Sequence, residues 1–351
     1  MNSIAQIVLQ AGSWQYSQDK LLEFVEHNMK LEEEAVIQRL FNSIKKQSHI
    51  CSRYSCLSDN YFSPNSILGQ LTTSERQKLY EEHSKIITNA ICKKVKELGT
   101  DLHDINNLVT VSCTGYQTPG LDFLLMKNFS ELQNNLSRFH IGAMGCYAGI
   151  IGLKLASQLP GNSILLCLEL CSLHFQASPV NFSNVVSNSL FADGVSLLLL
   201  KNNFKNFVSP ISFHSAVIPN TVDKMSWLLR DTGFRMHLDP KVPRFIEENI
   251  KSIVDSWLEK ENISIHEIKG WVVHPGGYSI LESIERALCL GENDLQSSKK
   301  IFNKYGNMSS CTVFFILDDL IKNNKFNKGD RILMMAFGPG LTAELCLLQI
   351  N

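Results

Sequence analysis

Three short segments, far apart in the chain, carry side chains of complementary reactivity: Gly145-Cys146-Tyr147-Ala148-Gly149, His274-Pro275-Gly276-Gly277 and Tyr305-Gly306-Asn307-Met308-Ser309-Ser310. Cys146 offers a soft nucleophile, His274 a titratable imidazole and Asn307 a neutral amide donor. Together they supply what is needed to attack a thioester and to hold the oxyanion that forms. Glycines beside each residue let a substrate approach the backbone closely. The combination points to acyl transfer from thioesters.

Each residue alone has a plainer explanation. A lone cysteine is usually a small buried hydrophobe. An imidazole at a strand end commonly satisfies backbone groups, and an asparagine ahead of a helix commonly caps it. Only their joint presence favours chemistry.

The elements that must position them can be read from apolar patterning. Residues 147–159 read as a helix ended by Pro160-Gly161, so Cys146 is expected at a helix start. There the helix dipole, helped by a nearby imidazolium, is expected to favour thiolate near neutral pH. His274 follows the apolar run Gly270-Trp271-Val272-Val273 and precedes a sharp Pro-Gly-Gly turn, while Asn307 precedes a helical pattern over 312–320. Short apolar stretches at 108–112, 164–170, 195–200, 271–273 and 331–336 are expected as buried strands, and 18–47 and 74–98 as amphipathic helices. Helix and strand patterns alternate, which predicts an α/β architecture with the sheet covered on both faces. The strand, loop, helix, strand order of 108–170 returns over 271–336. A duplication is therefore expected, with halves 1–210 and 211–351 and a boundary near 205–215.

Composition narrows the function. A chain of 351 residues, 44% hydrophobic, can bury a large core. Its 33 basic and 34 acidic residues give a formal charge of -1, with no positive excess to attract nucleic acid or an anionic membrane. No apolar run reaches the roughly 18 residues of a membrane span, and no leader pattern opens the chain, so a cytoplasmic protein is expected. The ten cysteines form no Cys-x-x-Cys pair, and neither Cys51 with Cys56 nor Cys167 with Cys171 is joined by a second ligand pair. Reduced thiols and no metal site are expected.

With these residues in hand, the chain resembles the type III polyketide synthases, the chalcone synthase-like family of the thiolase superfamily, over nearly its whole length. Besides the three segments above, the resemblance rests on Leu190-Phe191-Ala192-Asp193-Gly194 and Phe337-Gly338-Pro339-Gly340-Leu341-Thr342. It implies a thiolase-like duplicated αβαβα five-layer fold and a homodimer. It also implies that Cys146 is loaded from an acyl-CoA and paired with His274. His274 and Asn307 would then stabilise the enolate left when malonyl-CoA loses carbon dioxide. Repeated condensation and cyclisation would release a short polyketide, with CoA thioesters as substrates and no cofactor.

The same resemblance assigns a pocket. Phe191 and Met236 match the two gatekeepers between CoA tunnel and cavity, the second commonly aromatic in the family. Cys113 to Gly120 matches a loop, including Thr114, whose tip at Thr118 enters the neighbouring subunit's cavity. Glu169, Cys171, His174 and Trp227 match cavity positions, Ser309 follows the asparagine, and Gly338 and Pro339 belong to the C-terminal motif. Threonines usual in plant enzymes are replaced at 171 and 174, and a glycine at 227, which argues against plant flavonoid chemistry. The short N-terminus and the Leu-Cys-Ser-Leu-His-Phe run look more like bacterial members, several of which extend fatty acyl starters to alkylpyrones or alkylresorcinols. Family basic positions for CoA read as Leu40, Ser43 and Gln47, leaving Lys45, Lys46 and Arg53, with Gly276, as the expected CoA contacts. Two alternatives stay open: an initiating ketoacyl synthase condensing once with malonyl on acyl carrier protein, and a catalytically silent thiolase-fold subunit.

Overall fold

The computed structural model describes residues 1–31, 35–47, 49–132, 135–202 and 207–351. The strands are β1 (Ser3–Ala11), β2 (Trp14–Ser17), β3 (Ser52–Ser55), β4 (Ile105–Val111), β5 (Ser137–Ile141), β6 (Asn162–Leu170), β7 (Asp193–Lys201), β8 (Val208–Val217), β9 (Met225–Arg230), β10 (Gly233–Leu238), β11 (Ile268–Val273), β12 (Arg331–Gly338) and β13 (Thr342–Ile350). The helices are α1 (Gln18–Met29), α2 (Ala35–Gln47), α3 (Thr73–Glu97), α4 (Leu121–Asn128), α5 (Ala148–Gln158), α6 (Phe182–Leu190), α7 (Val242–Lys260), α8 (Tyr278–Leu288), α9 (Gln296–Tyr305) and α10 (Thr312–Asn323).

All five expected strands form, each within a few residues of its expected ends. The expected helical stretch 18–47 divides in two, because α1 stops where Lys30 turns left-handed at φ 50°. Nine strands share one mixed sheet in the order β11-β12-β13-β8-β1-β7-β6-β4-β5, and β1 meets β8 at one paired position, Ile4 with Val208. Strands before residue 202 lie to one side of that junction and strands after 207 to the other. Residues 203–206, beside the start of the expected boundary, include positions 205 and 206 of it and lie outside the described residues.

The period-two pleat sorts side chains into separate cores. Leu108, Ile164, Leu166 and Leu197 face a core shared with α1, α3 and α4, whereas Val109, Val111, Leu165 and Leu198 face the opposite one. In the second half Trp271, Val273, Leu333 and Leu345 pack against α7 and α8, while Val272, Met334 and Cys346 join the same central core as Val109. That central core is filled by α5 and α10, from Ile150 and Leu153 to Phe314 and Leu317. The stacking is helix, sheet, helix, sheet, helix: the five-layer αβαβα arrangement. Continuous apolar runs in β6 and β12 follow from burial on both faces.

The two central helices meet at their starts. A Cβ at Gly149, in the first turn of α5, would lie 2.3 Å from the carbonyl oxygen of Ser310 and 3.1 Å from the Phe314 ring. Only glycine permits that approach, so the turn carrying Cys146 and the turn carrying Asn307 are held backbone to backbone. Gly149→Ala is expected to destabilise the fold by about 1–3 kcal/mol through overpacking and to depress turnover as the two turns separate. Thermal melting together with product formation tests this; an unchanged melting temperature with full turnover would show that the contact does not set the geometry.

Candidate active site

Cys146 sits in a tight turn, Gly145–Tyr147, that leads directly into α5. Gly145 adopts φ +77°, and a Cβ there would lie 2.5 Å from the Pro339 ring. Gly338 lies under the Tyr147 ring, where a Cβ would come within 2.6 Å of it. Gly338 and Pro339 thus pack beneath the nucleophile turn. Neither lines the cleft, contrary to the substrate-contact role expected from the sequence.

His274 follows β11 directly, its N–H donating to the Met335 carbonyl at 2.9 Å. Its ring is 1% exposed, and among the described residues neither ring nitrogen has a hydrogen-bond partner. Asn307 is fixed on both sides: its N–H donates to Leu190 O at 2.9 Å, and its carbonyl accepts from Ala192 N at 2.8 Å. Its side-chain oxygen accepts from Ser309 N at 2.8 Å, so the amide N–H groups remain for Cys146 and for a substrate. It is not the cap of α10, which begins five residues later. Ser309, held at φ +51°, and Asn307 both place side-chain hydrogen-bonding groups at the Cys146 sulfur.

The electrostatics correct one expectation. Burial pushes the Cys146 thiol up to about 12, outweighing the help of Ser309 and Asn307, and burial lowers His274 to about 3. Both shifts run against the thiolate expected at a helix start, and no hydrogen bond from the imidazole offsets them among the described residues. Desolvation wins because the helix-start contribution, about 1 kcal/mol, is smaller than the cost of an unpaired buried charge.

Cys146, His274 and Asn307 open onto one cleft of about 740 Å³. Its walls are apolar side chains of α2, α6 and α7, among them Leu40, Ile44, Phe182, Val186, Val242 and Ile246, with Gly276 also in the lining. Sequence reading assigned α2 to CoA but did not assign α6 and α7 to the site, although Phe182, Val186 and Leu190 recur at four-residue spacing on one face of α6. Phe191 and Met236 border both this cleft and a second space of about 50 Å³, which fits the gate position expected for them.

Cys171, His174, Trp227 and Arg53 line that small inner space. Trp227 stacks on Phe234 (5.6 Å, 7°) and donates from Nε1 to Cys113 O at 2.8 Å. His174 is tied by Nε2 to Thr114 O at 2.7 Å and by Nδ1 to Phe234 N–H at 3.2 Å, which fixes its tautomer; burial lowers it to about 3. Thr114 and Glu169 lie behind this wall and line neither space, correcting their expected cavity role. Glu169 accepts from Cys113 N (3.0 Å), Thr114 Oγ1 (3.0 Å) and Ser310 Oγ (2.6 Å), and burial raises it to about 7. Thr118 lies apart, exposed on an open groove beside Tyr116 and Phe139.

The expected CoA contacts fare differently. Arg53 is 5% exposed, and its guanidinium donates to Gln18 Oε1 (2.8 Å), Asn188 O (2.9 Å) and Phe191 O (2.8 Å). It braces the gate from behind and is unavailable to a nucleotide. Lys45 and Lys46 are exposed on α2 but outside the cleft lining, Lys45 lying 3.7 Å from Glu26.

Among solved structures, PKS-I from the brown alga Ectocarpus siliculosus superposes with a TM-score of 0.89 at 26% identity, covering 100% of this chain and 99% of that one. The C-terminal type III polyketide synthase domain of Steely1, a type I/III hybrid from Dictyostelium, gives 0.89 at 27% identity, with 100% and 99% coverage. Residues 11–203 match the family model for chalcone and stilbene synthases, N-terminal domain, and residues 211–350 the model for their C-terminal domain. The chain belongs to this family, the type III polyketide synthases, and is an acyl-transferring condensing enzyme. A Bacillus subtilis protein named "Putative chalcone synthase" is 32% identical over 252 residues, 68% of this chain and 69% of that protein. "Probable polyketide synthase 1" of Dictyostelium discoideum is 29% identical over 354 residues; the match takes in 95% of this chain but 11% of that much longer protein.

Because burial pushes the Cys146 thiol up to about 12, its alkylation by iodoacetamide is expected to accelerate about tenfold per pH unit between about pH 7 and about pH 9. A rate already level above about pH 6 would instead reveal a preformed thiolate–imidazolium pair.

Proposed function

We propose that the chain is an iterating synthase in which Cys146 carries the growing acyl group. In loading, His274 takes the Cys146 proton as the sulfur attacks the donor thioester; the new acyl–S bond forms, the donor C–S bond breaks, and the released thiolate takes the proton back. Malonyl-CoA then enters with its thioester carbonyl facing His274 and Asn307. Loss of carbon dioxide leaves an enolate whose oxygen these residues stabilise. The enolate carbon attacks the Cys146 thioester carbonyl, the carbon–carbon bond forms as the acyl–S bond breaks, the released thiolate takes a proton from solvent, and the lengthened acyl-CoA reloads Cys146 by the same thioester exchange for the next round. The observation that carries this reading is the shared cleft, in which the Asn307 amide donors lie at the sulfur and both imidazole nitrogens lack a partner among the described residues. Buried groups of that kind are costly unless a substrate pairs with them.

The proposed starter is a fatty acyl thioester and the proposed product an alkylpyrone or alkylresorcinol, supported by the apolar α6 and α7 walls of the cleft. The chain is proposed to act in the cytoplasm, and no helix among the described residues is long and apolar enough to cross a membrane. Among those residues no group of three or more His, Cys, Asp or Glu side chains could hold a metal, and the proposed steps use none. The division into halves at 1–210 and 211–351 is proposed as the duplicated unit. A homodimer is also proposed: β5 ends the sheet, and Tyr116, Phe123 and Phe139 beside the Thr118 loop are exposed apolar side chains of the kind that subunit contacts cover.

Mass spectrometry after incubation with malonyl-CoA and a panel of short, aromatic and long-chain acyl-CoA starters tests the reaction. Products with two or more added ketide units are expected from long-chain starters and are expected to vanish in Cys146→Ala; product from that variant would remove Cys146 from the mechanism. Products from short starters alone would sink the alkyl reading, and a single extension would favour the ketoacyl synthase. Sedimentation is expected to give twice the 39.6 kDa chain mass, and a monomer would end the dimer proposal.

A further inference from the structure

The condensing step has two negative charges to hold, one on the enolate oxygen and one on the departing sulfur. The His274 imidazole and the Asn307 amide are occupied by the enolate. While they hold it, the Cys146 sulfur has to leave its acyl group as a thiolate. Burial pushes the Cys146 thiol up to about 12, so a thiolate released there calls for a donor that the enolate has not taken.

Ser309 is placed to be that donor. It is 4% exposed and opens the short turn Ser309–Cys311 that leads into α10. This turn packs against the Cys146 turn, and the next residue, Ser310, presses its carbonyl on Gly149. The Ser309 hydroxyl thereby lies at the Cys146 sulfur, and among the described residues it has no other hydrogen-bond partner. Its main chain is used separately: the N–H donates to Asn307 Oδ1 at 2.8 Å, and the carbonyl accepts from the Thr312 N–H. The backbone stands at φ +51°, a left-handed conformation that strains any residue with a Cβ and that glycine adopts freely. A serine where glycine would be relaxed points to a use for its side chain.

We infer that Ser309 is a further catalytic residue, its hydroxyl donating a hydrogen bond to the Cys146 sulfur whenever that sulfur carries negative charge. The charge appears twice per cycle, as the sulfur attacks the starter thioester and as it departs when the carbon–carbon bond forms. Ser309 gives up no proton in either step. His274 takes the thiol proton in loading, and solvent returns one after condensation. The inference rests on Cys146 carrying the acyl group, and it divides the work: Ser309 holds the sulfur while Asn307 and His274 hold the enolate.

Ser309→Gly isolates the hydroxyl, because it keeps the N–H to Asn307 and relaxes the backbone. Its melting temperature is expected to equal or exceed that of the unaltered protein. Single-turnover loading of Cys146, read by intact mass with whichever of hexanoyl-CoA and lauroyl-CoA loads the unaltered protein faster, is expected to slow about thirtyfold. Ser309→Ala is expected to load within about threefold of the glycine variant. Loss of carbon dioxide from malonyl-CoA, followed in Cys146→Ala protein so that no acyl transfer intervenes, is expected to fall less than about threefold when Ser309→Gly is added. Loading by a folded Ser309→Gly within about threefold of the unaltered rate overturns the inference and leaves Cys146 as the acyl carrier. Slow loading by Ser309→Ala beside full loading by Ser309→Gly would assign the effect to the backbone. Equal losses of loading and decarboxylation would assign it to the orientation of Asn307. Either result also overturns the inference. If neither thioester acylates the unaltered protein, the inference falls together with the role of Cys146.

Discussion

The site depends on two buried helices that begin at the same place. α5 and α10 fill the central layer and approach so closely at Gly149 that a methyl group would collide with the Ser310 carbonyl. Because Cys146 precedes one helix and Asn307 the other, the distance between nucleophile and amide is set by helix packing rather than by loop conformation. Interiors at crystal-like density transmit such constraints without slack. Arg53 adds a second brace. Its guanidinium joins the Asn188 and Phe191 carbonyls to Gln18, and its side chain packs under Gly306, where a Cβ would lie 2.9 Å from it. The gate and the Asn307 turn therefore share one support.

Burial on this scale has an electrostatic consequence. Glu169 sits fully buried between the β4 exit and the Ser310 turn, and three donors converge on it without bringing it back to the ordinary carboxylate range. Its oxygens tie the Cys113–Thr114 segment to the turn behind Asn307, so it couples both sides of the nucleophile without touching the cleft. The same desolvation pushes the Cys146 thiol up and the His274 imidazole down, so that both favour their neutral forms. Neutrality suits an acyl-transfer site: no charge has to be held in a low-dielectric pocket until substrate arrives, and ionisation then accompanies attack.

The parts of this arrangement that depend on local sequence were legible. Runs such as 164–170 and 331–336 are buried on both faces and announce themselves as strands, and the glycines beside Cys146, His274 and Asn307 mark close backbone approach. What depends on distant partners was not. Arg53 resembles a surface cation until Gln18 and the carbonyls of residues 188 and 191 are folded around it. Gly338 and Pro339 looked like substrate contacts because their motif lies near the site, yet their partners are Tyr147 and Gly145. β1 and β13 alternate large and polar residues too loosely to stand out, although they place the two halves of the sheet. The burial that opposes ionisation of Cys146 was hidden for the same reason: a helix start is visible in sequence, while complete burial is a property of the assembled chain.

The two spaces either side of Phe191 and Met236 constrain what grows there. The inner one measures about 50 Å³. Its wall is not loosely packed filler, because Trp227 is hydrogen-bonded to Cys113 and stacked on Phe234, and His174 is bonded at both nitrogens. Enlarging it would break at least one buried hydrogen bond, each worth about 1 kcal/mol or more when lost. The outer cleft is more than ten times larger and lined by aliphatic side chains. An acyl chain carried on Cys146, as proposed, would therefore find more room on the side from which donors arrive than beyond the gate. On that proposal chain and incoming pantetheine arm share one channel, and longer starters would leave less room for each further extension.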